Sequence, residues 1–184
     1  TLHVRLSADC SSDPRAALAW RFERGRAGSG VLGDLLAHGV DLAHYLVGRI
    51  TQVTAMTETF ITERPIPASA TTRRGDEVSA DQPLGAVENE DYAAILARLD
   101  GGAVATLEST RVAVGPHAEY VIEVFGTEGS LRWDFQRLNE LQLATDGTGY
   151  RTVFARPGVG EFGRFQPGAG TSMGFGDLKT IGAA

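Results

Sequence analysis

Apolar and polar residues alternate with period two along four stretches: Leu2/Val4/Leu6 in LHVRLSAD, Val53/Ala55 in QVTAMTETFIT, Ile95/Ala97/Leu99 in DYAAILARLD, and Tyr120/Ile122/Val124 in HAEYVIEVFG. Successive side chains of a strand point to opposite faces, so each stretch predicts a strand with one buried face. The connectors agree. Asp100-Gly101-Gly102, Gly126-Thr127-Glu128-Gly129 and the Asp146-Gly147 that follows LNELQLAT are short and glycine-bearing, which is hairpin chemistry. Strands joined this closely pair antiparallel. Residues 63–90 break the pattern: they are polar, carry Pro65, Pro67 and Pro83, and are expected to form a surface excursion or lid. Near the C-terminus, Phe175, Leu178 and Ile181 begin a helical spacing that stops early, and Thr1 opens directly into alternation. The expectation is a fragment whose last helix is cut short.

The period changes in one place, GSGVLGDLLAHGVDLAHYLVG, Gly28 to Gly48. At about 100° per residue from Asp34, Leu35, Leu42 and Leu46 fall near ~80–120° and Leu36, Val40, Ala43 and Val47 near ~180–240°. That is one broad apolar face. Asp34, His38, Asp41 and Tyr45 lie on the other side within about 60° of one another, because steps of four, three and four residues stack on a helix.

Gly28, Gly30 and Gly33 spell G-x-G-x-x-G ahead of this helix. A dinucleotide turn follows a buried apolar strand, whereas RFERGRA precedes this one, and Asp34 puts a carboxylate where a pyrophosphate would sit. Glu58, about 25 residues on, is the one feature that fits an acidic ribose ligand. The turn is therefore read as a glycine-rich helix start, with no cofactor-binding residue assigned.

Three readings of the polar stripe are open. A solvated face usually carries Glu, Lys, Arg and Gln, whereas this stripe uses short Asp, His and Tyr, and Asp is a poor mid-helix residue. A metal site would take Asp34, His38 and Asp41 as ligands on one face. An acid–base pair would let Asp34 orient His38 for proton removal from a hydroxyl. Trp20 and Arg21, expected at the end of a strand leading into the glycine turn, are candidates to line a pocket. His44 lies off the stripe, Asp41 is read as a supporting hydrogen-bonding residue, and His117 and Glu119 stay outside the set.

Composition narrows the partners. The chain has 184 residues, 42% of them hydrophobic, enough for one domain spanning 1–184. A net charge of -6 without long basic runs excludes the electrostatic footprint of a nucleic-acid binder. The single Cys10 rules out an internal disulfide framework and fits a reducing compartment, so the cytoplasm is expected. No apolar run reaches the roughly 20 residues that span a bilayer.

The segment WRFERGRAGSGVLGDLLAHGVDLAHYLVG, Trp20 to Gly48, resembles the C-terminal domain of the glucose-fructose oxidoreductase/inositol dehydrogenase/rhizopine-catabolism (Gfo/Idh/MocA) family. That pattern runs W-R, a glycine-rich turn, D-x-x-x-H-x-x-D and Y-L-x-G. DGGAVATLEST and VIEVFGTEGSLRW extend the resemblance to about Leu143. It implies an α+β fold, a large mostly antiparallel sheet with helices on one face, lacking the N-terminal Rossmann domain that binds NAD or NADP. It also implies catalytic roles for Asp34 and His38 beside a lysine from that absent domain; Trp20 and Arg21, by their position before the glycine turn, are the expected substrate-binding residues. The expected function is the substrate domain of an NAD(P)-dependent oxidoreductase acting on a secondary alcohol of a sugar, inositol or related polyol, inactive as an isolated fragment. The uncovered sheet face is expected to drive homo-oligomerisation. A non-catalytic binding or assembly module of the same fold and an NAD-dependent glycosidase are the alternatives.

Overall fold

A computed structural model of the chain describes residues 1–68, 78, 79 and 81–154. In chain order it contains β1 (Leu2–Ser7), a 3₁₀ turn (Trp20–Phe22), the short helix α1 (Arg24–Ala27), a π-helical turn (Leu32–Leu36), and α2 (Ala37–Leu46). There follow β2 (Ile50–Glu58), β3 (Glu63–Pro65), β4 (Leu84–Ala86), β5 (Tyr92–Leu99), β6 (Val104–Thr110), β7 (Glu119–Phe125), β8 (Ser130–Asp134), β9 (Glu140–Ala144) and β10 (Arg151–Phe154). Eight strands form one sheet in the order β10-β9-β8-β7-β1-β6-β5-β2, while β3 and β4 make a separate ribbon.

The predicted hairpins β5–β6, β7–β8 and β9–β10 are antiparallel. The exception is central. β1 sits between β6 and β7 and runs parallel to β6, Arg5 lying level with Glu108. Hairpin logic governs only strands adjacent in sequence, so nothing in LHVRLSAD reveals its two neighbours.

Alternation sorts the two faces as expected in β1 and β5, but not in the edge strand β2, where Val53 and Ala55 are exposed along with their neighbours. On the helix side Leu2, Val4, Leu6, Ala93, Ala97, Leu99, Ala105, Leu107 and Ile122 pack against Val31, Leu36 and Ala43. The alanines and Gly39 let α2 ride close to the sheet: a Cβ on Gly39 would lie 2.7 Å from Val4 Cγ1 and 3.3 Å from Leu6 Cδ1. On the other side His3, Arg5, Met56, Leu96, Thr106 and Glu108 line a shallow concavity of about 450 Å³. Leu96 and Met56 are there 63% and 64% exposed. Arg5 clamps Glu119 with two hydrogen bonds, at 3.1 and 2.9 Å, and the Tyr92 hydroxyl donates to Glu108 at 3.1 Å.

Residues 63–90 are more than a surface excursion, because both of their ends are anchored in the interior. Arg64 is fully buried and donates to the carbonyls of Asp13 and Ser11. Its guanidinium and that of buried Arg111 both stack on Phe22, 4.4 and 4.7 Å from the ring centre. Burial pulls the Arg64 pKa below its ordinary value. The helical spacing of Phe175, Leu178 and Ile181 lies outside the described residues.

Candidate active site

The helix expected from Gly33 onward begins differently. Leu32–Leu36 forms a π turn, closed by the Ala37 amide donating to the Leu32 carbonyl, while the Asp34 amide makes an ordinary helical bond to the Gly30 carbonyl at 3.0 Å, and α2 starts only at Ala37. A π turn inserts an extra residue into the helical turn and occurs frequently at functional sites. The uniform 100° wheel therefore breaks between Leu36 and Ala37. Asp34 is half-buried in the π turn, and His38 is exposed in the first turn of α2, so the two stand on consecutive turns of one continuous helix. The apolar face holds for Leu36, Gly39 and Ala43, whereas Leu46 is 47% exposed where α2 overhangs its support. Among the described residues, no three His, Cys, Asp or Glu side chains come together as a metal-binding group, Asp34, His38 and Asp41 included.

Tyr120 braces this helix from below. Its hydroxyl donates to the His38 carbonyl at 3.0 Å, and its ring meets Trp133 edge-on at 5.8 Å. Trp133 is in turn tied through Nε1 to the Leu138 carbonyl at 3.1 Å. Burial, with the Asp41 charge nearby, pushes the Tyr120 phenol up to about 12. Alternation placed Tyr120 on the core face, and a phenol there needs an acceptor; that was the available signal for this contact.

Trp20 and Arg21 do not end a strand. The Phe22 amide donates to Ala19 carbonyl at 3.0 Å and the Glu23 amide to Trp20 carbonyl at 3.2 Å, closing a 3₁₀ turn that points Phe22 inward. Trp20, 42% exposed, stays at the surface with the Arg21 guanidinium 4.5 Å above its ring. His117 pairs with Asp9 at 2.9 Å, and Glu119 turns to the open sheet face beside Arg5.

The glycine turn and the segments around it are held by the four-residue run Glu88-Asn89-Glu90-Asp91, of which the sequence places the first three at the end of the polar excursion and Asp91 at the start of the next strand. Each holds a different segment. Glu88 Oε2 accepts from the Arg24 amide at 2.8 Å, and Asn89 Nδ2 donates to the Arg21 carbonyl at 2.8 Å. Glu90 Oε1 accepts from the amides of Gly30 and Leu32 at 2.7 and 3.0 Å, while the Glu90 carbonyl accepts from Val31 at 3.0 Å. Asp91, fully buried, accepts from Arg111 Nε at 2.8 Å and from the Ile61 amide at 2.9 Å.

The same contacts bear on the glycine motif. Gly28 has a positive φ of 78°, and a Cβ on Gly30 would collide with the Glu90 carbonyl oxygen. Amides that would cradle a phosphate in a dinucleotide turn are already occupied by a carboxylate, so the turn does not fit a dinucleotide.

Comparison with known proteins agrees with this architecture. The description "GFO/IDH/MocA C-terminal domain" matches residues 1–132. The levoglucosan dehydrogenase of Pseudarthrobacter phenanthrenivorans is 37% identical over 180 residues, covering 95% of this chain and 46% of that protein. A solved levoglucosan dehydrogenase in complex with NADH and L-sorbose superposes with a TM-score of 0.82 at 36% identity, covering 99% of this chain and 47% of that one. An NAD binding oxidoreductase from Klebsiella pneumoniae gives 0.80 at 32% identity, with 99% and 47% covered. The chain belongs to the GFO/IDH/MocA family, as its C-terminal domain. It spans about half the length of the relatives it matches.

Proposed function

We propose that this chain is the substrate-binding half of an NAD(P)-dependent oxidoreductase acting on a secondary alcohol of a sugar, inositol or related polyol. The observation that carries the reading is the placement of half-buried Asp34 and exposed His38 on consecutive turns of a braced helix, in a chain of this family. Two relatives that are levoglucosan dehydrogenases, one with NADH and L-sorbose bound, support both the substrate class and the cofactor.

In this reading His38 accepts the hydroxyl proton of the substrate, and Asp34 stabilises the imidazolium that results. A nicotinamide cofactor, held mainly by a separate dinucleotide-binding domain, would supply the hydride-accepting chemistry. Exposed Trp20, stacked under Arg21, offers a flat apolar surface and a guanidinium with which to hold a sugar ring and its hydroxyls. The exposed Leu96 and Met56 on the open sheet face support homo-oligomerisation through that face.

The test is formation of reduced nicotinamide by the protein carrying its dinucleotide-binding domain, over a panel of anhydrosugars, hexoses and inositols. Stoichiometric oxidation of at least one of them is expected. Cofactor left oxidised throughout, or release of a free aglycone from a glycoside without net reduction, would overturn the reading.

A further inference from the structure

We infer that Glu90 is the positioning residue of the Asp34/His38 site. It is an internal anion that occupies the amides of the glycine turn and so fixes the π turn on which Asp34 stands. The inference rests on the acid–base reading of Asp34 and His38 given above.

The geometry is specific at three points. One carboxylate oxygen of Glu90 takes both the Gly30 and the Leu32 amide, at 2.7 and 3.0 Å, and these flank the entry to the π turn. The main chain of the same residue takes the Val31 amide at 3.0 Å, so three consecutive amides are held by one residue. Gly30 has no room for a Cβ because it lies against the Glu90 carbonyl, so the glycine is required by this contact. The Gly30 carbonyl, fixed in this way, then accepts the Asp34 amide at 3.0 Å. A chain of main-chain bonds thus runs from Glu90 to Asp34 without any side chain between them.

Glu90 is itself immobilised. Asn89 on one side is buried and bonded to Arg111 and to the Arg21 carbonyl, and Asp91 on the other is buried against Arg111. Electrostatics favours a charged acceptor here, since the first amides of a helix carry the positive end of its dipole. Hydrogen bonds to an ionised acceptor are roughly twice as strong as neutral ones. The turn keeps the glycine spelling of a phosphate cradle while the protein supplies its own anion, leaving the helix start rigid before any ligand arrives.

The experiment uses the protein with its dinucleotide-binding domain and the variants Glu90→Gln, Glu90→Ala and His38→Ala, measuring turnover, KM for the cofactor, and amide exchange at Gly30 and Leu32. Glu90→Gln keeps an acceptor oxygen and loses the charge; Glu90→Ala loses both. Expected is a graded fall in kcat, about three- to tenfold for Gln and about 10- to 100-fold for Ala, with cofactor KM within about twofold. Exchange at the two amides should accelerate in the same order. A role confined to stability would speed exchange and leave kcat of the folded enzyme untouched, and that result, with His38→Ala inactive, overturns the inference alone. If His38→Ala keeps turnover, the acid–base reading falls and takes this inference with it. Should Glu90→Ala fail to fold, the wild type and Glu90→Gln decide by the same two readouts.

Discussion

Arg111→Met is the most exacting perturbation of the framework beneath the site. Arg111 and Asp91 are 1% and 0% exposed and bonded at 2.8 Å. Arg111 also donates to the Asn89 carbonyl and side-chain oxygens at 3.2 and 2.9 Å, and it stacks on Phe22. Methionine fills much of the same volume without charge. What remains is Asp91, buried, with one amide donor from Ile61 and only the charge of Arg64 nearby. Removing one partner of a buried pair costs about 3–5 kcal/mol, a large share of a typical stability of about 5–15 kcal/mol, and the Arg64 charge puts this case at the lower end. Asp91→Asn errs the other way: it leaves Arg111 and Arg64 as two buried cations over one ring without the carboxylate that offsets them. The double variant removes one charge of each sign and should recover about 2 kcal/mol of the summed loss. Equilibrium denaturation followed by tryptophan fluorescence reads all four corners of this cycle. An Arg111→Met cost below about 1 kcal/mol, or single losses that add within about 0.5 kcal/mol, would refute the idea that this pair clamps residues 88–91.

Tyr120 supplies a pH signature. Its folded pKa is raised to about 12 from 10, so between those values the unfolded chain loses a proton that the folded one keeps, and stability falls as pH rises through that window. Tyr120→Phe should flatten that slope in denaturation curves taken across it; an unchanged slope contradicts the buried-phenol account. Leu96→Arg, at a 63% exposed position of the open sheet face, should shift the protein to a smaller species in light scattering, and an unaltered mass would count against that face as the contact. Residues 1–184 alone should bind neither NAD nor NADP saturably in calorimetry, because Glu90 already holds the amides of the glycine turn; a saturable isotherm would show that reading to be wrong.

The central strand β1 was legible because alternation prints burial, Leu2, Val4 and Leu6 being buried and His3 and Arg5 between them not, whereas the edge strand β2 pairs on one side only and is exposed on both faces. The placement of β1 beside β6 was not legible, since it depends on strands about a hundred residues apart. Asp34 and His38 could be picked out by residue type and spacing. The π turn beneath Asp34 could not, because it depends on a carboxylate 60 residues from Gly30 along the chain. Arg64 in its polar stretch and Arg111 just past the end of β6 both look like solvent-facing charges, and only the fold shows that carbonyls, Asp91 and the Phe22 ring take them up. Trp20 and Arg21 were found as neighbours of the glycine turn, yet in a 3₁₀ turn whose local amide bonds leave no strand.

The central claim is that His38 takes the proton of the substrate hydroxyl. Its most direct test compares turnover of His38→Ala and His44→Ala in the protein carrying its dinucleotide-binding domain. Both histidines are exposed on the same helix, so a general surface effect would touch them alike. The account predicts a loss of roughly 10² to 10⁴ in turnover for His38→Ala, the usual range for removing a general base, with cofactor binding retained and His44→Ala close to wild type. Near-full turnover of His38→Ala at every pH, or greater damage from His44→Ala, would contradict it.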